Sequence, residues 1–307
     1  MISSDYPTLG AMITQQLRVF PKHEKYLSRR FRSAAPADLA FCEWLCGPIM
    51  RATGARLPTY CDDYRWLCGM LLEEELFFRR ENRYRLSTFA EAERTVYADR
   101  LFMARYLNGL FMTQLWWQNH SNVLRYYRDV FLSGNKQNYK HLEIGPGHGL
   151  FLILAASAPN AGSIAGWDVS PASIAATQEA MLAMGASRPF KLSLVNMFEA
   201  PVEQFDSVTF SEVLEHLEDP ASALAAISKL LAPDGRAFIH APVNSPAPDH
   251  LWLFRSPEEI VDLVEQSGLV IEDTLFAPAT GATLQTAREK ALTISTVVVA
   301  GKPRRRP

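Results

Sequence analysis

The chain has 307 residues, of which 48% are hydrophobic and 21% charged, a globular composition that excludes disorder over the whole length. A formal net charge of -2 argues against a general nucleic-acid surface, and no apolar run reaches the roughly 18 residues that span a bilayer. The opening stretch has an early acid, Asp5, and no long apolar core, so no secretory leader is expected. The four cysteines, Cys42, Cys46, Cys61 and Cys68, form no C-x-x-C pair. They read as small buried hydrophobes of a protein in the reducing cytoplasm.

Charge and texture both change near residue 138. Residues 1–138 carry five more basic than acidic side chains, and residues 139–307 carry seven more acidic than basic. The expected division is a helical domain over 1–138, an α/β domain over 139–303, and a basic tail at 304–307. In the first part, Pro36–Cys46 and Thr59–Leu76 show helical spacing of apolar residues. Two short arms around Glu81-Asn82, from Phe77 to Leu86, suggest a β-hairpin. A helix followed by such a hairpin predicts a winged-helix-like unit, serving as a lid or for dimerisation. Phe89–Trp117 and His120–Phe131 read as further apolar helices with enough surface to predict a homodimer. The break falls at Leu132–Asn138.

Beyond it, short apolar runs alternate with helical stretches, the mark of a parallel α/β sheet. The stretch His141–Leu152 is a strand ending in Glu143, three alternating glycines (Gly145, Gly147, Gly149), and then an apolar helix. Glycines let the chain turn sharply and approach a ligand, and a following helix offers free N–H groups. A second strand, Ser163–Trp167, ends in Asp168, 25 residues after Glu143, where doubly wound folds hold a ribose diol. Strands at Lys191–Val195, Phe205–Phe210 and Arg236–His240 follow. The third leads to Asn196-Met197-Phe198 and the fourth to Ser211-Glu212 and on to His216. Ser256 caps an expected helix to Gly268. Leu269–Phe276 and Ile294–Ala300 read as two closing strands, with a long link at Ala277–Leu292.

Over residues 139–303 the sequence resembles the class I S-adenosylmethionine-dependent methyltransferases. Glu143-Ile-Gly-Pro-Gly-His-Gly149 fits the family's acidic residue followed by G-x-G-x-G. The resemblance implies a doubly wound, Rossmann-like seven-stranded sheet, closed by an antiparallel pair. It implies that the glycine loop wraps the methionine part of S-adenosylmethionine and that Asp168 holds the ribose hydroxyls. Asn196, where the family usually has Asp, would meet the adenine amine. Met197 and Phe198 would flank the ring, and Ser211 and Glu212 would pass beneath the methionine end. The spacing differs from the G-x-G-x-x-G of dinucleotide dehydrogenases.

The expected activity is methyl transfer to an oxygen or nitrogen of a small-molecule, secondary-metabolite acceptor. A protonated acceptor needs a base. His216 and His250 are the candidates, since each follows a strand whose C-terminal end lies on the cofactor edge. Glu212, Glu215 and His216 would share one face of a helix, and with His250 could bind a divalent metal. That set resembles the metal site of small-RNA 2′-O-methyltransferases. Similar Glu-Val-Leu-Glu-His stretches accompany metal-free methyltransferases, so no metal is expected. Two further readings stand beside the main one: an RNA 2′-O-methyltransferase, and a DNA-binding regulator that senses S-adenosylmethionine. No membrane partner is expected.

Overall fold

The computed structural model describes residues 4–32, 34–200 and 203–303; the basic tail at 304–307 lies outside them. Seven strands form one sheet: β1 (Tyr139–Ile144), β2 (Ala161–Asp168), β3 (Phe190–Leu194), β4 (Phe205–Ser211), β5 (Leu231–Val243), β6 (Val270–Pro278) and β7 (Ile294–Gly301). Their order is β3-β2-β1-β4-β5-β7-β6. The first five are parallel, and β7 runs antiparallel between β5 and β6. This is the seven-stranded, doubly wound sheet that the resemblance implied, closed by its antiparallel pair.

The sequence pattern explains the order. Every residue of β7, Ile-Ser-Thr-Val-Val-Val-Ala-Gly, is buried, as a strand covered on both faces requires. Strand β6 is an edge, and it carries Glu272 and Asp273 among exposed positions that resist pairing with another sheet. Strand order reverses between β1 and β4. The crevice outside their C-terminal ends is where open α/β sheets take ligands.

The helices of the first 138 residues lie on one face of this sheet and share its core. A single apolar cluster joins Leu9, Leu45 and Trp116 to Leu150, Met181 and Val297. Tyr127 is its pivot. Its ring meets Phe151 and Phe238 edge-on, both at 4.9 Å between centroids, and its hydroxyl is 3.0 Å from Thr209 Oγ1. Much of the apolar surface on which a homodimer was predicted is therefore used within the chain: Phe111, Met112, Leu115 and Trp116 are buried.

Two expectations for this half are corrected. Residues 77–86 form no hairpin, and among the described residues no strand precedes Tyr139, so the winged-helix reading fails. The helix Leu57–Glu81 runs through the first proposed arm instead. Glu75 and Arg79, an i,i+4 pair 2.6 Å apart, favour the helix there, and Asn82 ends it in the left-handed region at φ 53°. The long helix expected over Phe89–Trp117 is divided. A short turn of helix, Phe89–Ala92, and a π-turn, Glu93–Tyr97, precede the helix Arg100–Trp116. Asp99 starts that helix by accepting the N–H groups of Leu101 and Phe102, each at 3.0 Å.

In the second half the predicted elements hold with small shifts. Ser256 caps the helix Pro257–Gln266 by accepting from Glu259 N–H. The Pro233–Gly235 turn lies inside β5 as a bulge, since Leu231 pairs with Phe205 and Arg236 with Ser207. The link between β6 and β7 contains a helix, Leu284–Glu289.

Candidate active site

The glycine loop leaves β1 with backbone angles that only glycine adopts easily. Gly145, Gly147 and Gly149 have φ of 68°, 48° and 75°. A Cβ on Gly147 would meet nothing closer than 3.9 Å, so open space lies against the loop there. Thr177 Oγ1 donates to Gly147 O at 2.7 Å and Gly145 N–H to Trp167 O at 2.8 Å, which fix the loop to its neighbours. Just before it, Glu143 is buried and its Oε2 has no partner. Burial pushes its carboxyl well above the usual range. A buried acceptor beside a loop with room for a ligand suits the ammonium of a methionine group. His148 turns back instead: its Nδ1 accepts the Leu150 N–H at 3.2 Å and its ring packs against Phe111.

Asp168 sits at the tip of β2. Its Oδ1 accepts Ser170 N–H at 2.8 Å, and burial raises its pKa. Asn196 ends the β3 connection. Its Oδ1 accepts Phe198 N–H at 3.1 Å, which leaves the Phe198 ring 52% exposed beside Met197. Ser211 closes β4, and its Oγ is 2.9 Å from His240 Nδ1. Strand tips β1, β2 and β4 thus bring Glu143, Asp168, Ser211 and Glu212 to one edge, with Asn196, Met197 and Phe198 beyond β3.

The helix expected to align Glu212, Glu215 and His216 is absent. Glu212 has φ 54°, in the left-handed region, and only a 3₁₀ turn, Leu214–His216, follows. The kink sends Glu212 to His240, with Oε1 3.1 Å from Nε2. Glu215 and His216 meet His250 instead. The two imidazoles stand edge to face, 4.9 Å between centroids. Glu215 anchors the loop after β5 through its carbonyl, which accepts the Leu251 and Trp252 N–H groups at 2.8 and 2.9 Å.

The N-terminal half reaches this cluster. Tyr106 donates to Asp249 Oδ1 at 2.8 Å, and Tyr97 Oη lies 3.4 Å from both Asp249 Oδ2 and His216 Nδ1. Tyr84 Oη accepts Ser245 N–H at 2.9 Å. A hollow of about 230 Å³ is lined by Phe89, Phe198, His216, Leu217, Glu218 and Asp219. Tyr97, Tyr106 and Asp249 had no sequence signal as site residues. The tyrosines sit 143 and 152 positions from Asp249, and no local pattern records such pairing.

Burial also sets how the fold responds to acid. Desolvation pushes His120, His141 and His240 down to about 3, and His23, His148 and His250 to about 4. It raises the carboxyls of Glu143, Asp168, Glu212 and Glu215, that of Glu212 to about 8. Between pH 4.5 and 6.5 the unfolded chain binds protons at these six histidines that the folded chain refuses. The four carboxyls act with the opposite sign and are outnumbered. Stability should therefore be present above about pH 6.5 and fall as the pH drops toward 4.5. Melting temperatures across that range check it; a flat or rising curve toward acid would contradict buried neutral histidines.

Comparison with known proteins accords with this edge. The family description "Methyltransferase domain" matches residues 116–274, just over half of the chain. The ubiquinone biosynthesis O-methyltransferase of Pseudomonas syringae pv. tomato is 30% identical over 131 residues, 42% of this chain and 55% of that protein. The same enzyme of Pseudomonas aeruginosa is 32% identical over 126 residues, 41% and 53% of the two chains. The chain thus spans about half the length of the curated relatives it matches. Among solved structures, the mitomycin 7-O-methyltransferase superimposes with a TM-score of 0.53 at 16% identity, covering 83% of this chain and 72% of its own, a likeness of fold. With its glycine loop, acidic strand tips and β7 inserted antiparallel, the chain belongs to the methyltransferase-domain family and has the class I S-adenosylmethionine-dependent fold.

Proposed function

We propose that the protein transfers the methyl group of S-adenosylmethionine to an oxygen or nitrogen of a small, secondary-metabolite-like acceptor. The observation that carries this reading is the strand-tip edge itself. Glu143, the open loop at Gly147 and the carboxylate of Asp168 lie along it in order, and an acid–histidine cluster stands at its β4–β5 end. In this reading the loop Gly145–Gly149 and Glu143 receive the methionine end. Asp168 takes the ribose hydroxyls. Asn196, Met197 and Phe198 receive the adenine, and Ser211 and Glu212 lie beneath the sulfonium.

The cofactor supplies an electrophilic methyl on a sulfonium. The chain's task is to hold the acceptor in line and keep water out, and such positioning is worth roughly 7–11 kcal/mol. His216 lines the hollow together with Phe89 and Phe198, so the acceptor belongs on that side. His216 and His250 are the groups on this edge that can meet the acceptor's proton. Burial pushes His250 down to about 4, which leaves it neutral but a weak base at pH 7. His216, partly exposed on the wall of the hollow, is the better placed of the two to meet the acceptor.

A DNA-binding reading loses the wing on which it relied. Homodimerisation would have to use the apolar side chains that remain exposed, among them Leu72, Leu76 and Leu101. Among the described residues no helix is long and apolar enough to cross a membrane.

The test is incubation of the enzyme and isotopically labelled S-adenosylmethionine with a metabolite extract, followed by mass spectrometry. One acceptor should gain a single labelled methyl, and fragment ions of the product should place it on an oxygen or a nitrogen. Cofactor binding without any labelled product across phenolic, alcoholic and amine fractions would sink the reading.

A further inference from the structure

The N-terminal half brings a histidine of its own to the cofactor edge. His120 lies in the first turn of the helix Gln118–Tyr126. Three contacts fix where that turn stands. Asn119 Nδ2 donates to Ser295 Oγ at 3.0 Å, and Ser295 pairs with Pro242, two positions past His240 on β5. On the other side, Phe111 packs against His148 of the glycine loop, with ring centroids 5.8 Å apart. Seven residues further on, Tyr127 reaches Thr209 of β4. His120 therefore stands over the tips of β4 and β5, opposite the glycine loop. It is near enough to His148 and to His240 for a proton on one ring to disfavour a proton on another.

His120 and His240 offer complementary nitrogens. Thr113 Oγ1 is 2.7 Å from Leu110 O and spends its proton there, so it accepts from His120 Nδ1–H at 2.9 Å. Gln114, 3.2 Å from the same nitrogen, closes that side of the ring. Nε2, on the far side, then carries a lone pair. His240 has the opposite tautomer. Among the described residues Ser211 Oγ has one hydrogen-bond partner, His240 Nδ1 at 2.9 Å, and a buried hydroxyl gives its proton to such a partner. The hydrogen of His240 is therefore on Nε2, which is buried without a partner. Glu212 Oε1 is 3.1 Å from it and is unpartnered too, because it lies off the axis of the ring N–H. A side chain 2% exposed with an unmet N–H points to a polar ligand.

A group that meets both rings must donate to His120 and accept from His240, and a hydroxyl does both. A carboxylate would set lone pair against lone pair at His120. Burial pushes both rings down to about 3, so neither takes up a proton at pH 7. The group they hold keeps its hydrogen and is not the atom methylated.

We propose that His120 and His240 together hold a hydroxyl of the methyl acceptor other than the one methylated, with His120 accepting its hydrogen bond and His240 donating to it. The inference rests on the methyl-transfer reading and narrows its substrate. The acceptor carries at least two polar groups, the reacting one beside His216 and a neutral hydroxyl here. His120 is thereby a specificity residue supplied by the N-terminal half.

Phenol is the probe, applied to the complex with S-adenosylhomocysteine. Anisole has the same ring without a donor, and benzoate has only acceptor oxygens. In protein with isotope-labelled histidine nitrogens, magnetic resonance at pH 7 should show His120 as the Nδ1–H form and His240 as the Nε2–H form. Phenol at millimolar concentration should shift the Nε2 signals of both rings, and anisole and benzoate should leave them in place. His120→Leu should weaken phenol binding roughly threefold to tenfold, the worth of one neutral hydrogen bond, with affinity for S-adenosylhomocysteine unchanged. His120→Gln, whose side-chain oxygen can accept instead, should recover most of the loss. Should His120→Leu fail to fold, the wild-type signals still decide. Nε2 signals that ignore phenol overturn the proposal, as do equal shifts with anisole or benzoate, or the reverse tautomers. Calorimetry separates the two ideas. S-adenosylhomocysteine bound beside rings that ignore phenol sinks this inference alone, whereas no binding of S-adenosylhomocysteine sinks the methyl-transfer reading.

Discussion

Replacing His216 by alanine should slow single-turnover methyl transfer roughly 10²–10⁴-fold and leave cofactor affinity near that of the wild type. The expectation rests on where the ring is held. A main-chain carbonyl fixes its Nδ1, the Tyr97 hydroxyl closes over it at 3.4 Å, and Nε2 is directed at Glu215. The side chain is partly exposed, in the wall of the hollow that Phe198 also lines, whereas His250 is buried behind it. Its loss should therefore be felt by the acceptor and not by the adenosine end. Whether the ring works as a base is read from rescue. Added imidazole restores rate to His216→Ala if a proton acceptor is missing. A variant with a lowered melting temperature and nearly intact single-turnover rate would reduce His216 to packing.

The second half of the chain was legible because its signals are local. Each strand and the residues at its tip fall within a few positions of one another, as do the three glycines of the turn, and Ser256 with Glu259 is a cap readable three positions apart. Asp168 could be placed because the β-α-β unit has a nearly constant length. The first half was misread where one local rule competed with another. Phe77 to Leu86 has two aromatic, arginine-rich arms around a polar pair, which is a hairpin pattern. It also has Glu75 one turn before Arg79, and helix propagation from Leu57 won. The acid–histidine cluster shows a different limit. Its members were named from sequence, but on the assumption of a helix through Glu212. The positive φ of Glu212 cannot be read from spacing, and it takes Glu212 out of the set, leaving Glu215, His216 and His250 together. Tyr97 and Tyr106 lay beyond reach altogether, since only the packing of the helical half against the sheet brings them to Asp249.

Asp168→Ala should weaken binding of both S-adenosylmethionine and S-adenosylhomocysteine roughly tenfold to 150-fold for each ribose bond lost, the equivalent of about 1.5–3 kcal/mol for a hydrogen bond to a charged group. The carboxylate is at the C-terminal tip of β2, next to the point where strand order reverses. One of its oxygens is already committed to Ser170 N–H, so Oδ2 has the greater freedom to meet a ribose hydroxyl. Burial raises its pKa, which makes a ligand that donates two hydroxyl protons the natural compensation for that cost. Asp168 also has a structural duty, because Ser170 caps the helix Pro171–Met184 that packs under the glycine loop. Asp168→Asn separates the two roles. It keeps an oxygen for Ser170 N–H and so should hold the melting temperature, yet it loses the charge that strengthens the ribose bonds. A cofactor analogue lacking the ribose hydroxyls supplies the remaining control. It should bind wild type and Asp168→Ala alike, since neither can make the bonds in question. If calorimetry instead finds that Asp168→Ala weakens the analogue as much as the cofactor, the residue acts through the loop. If neither ligand is affected, the ribose lies elsewhere on the edge.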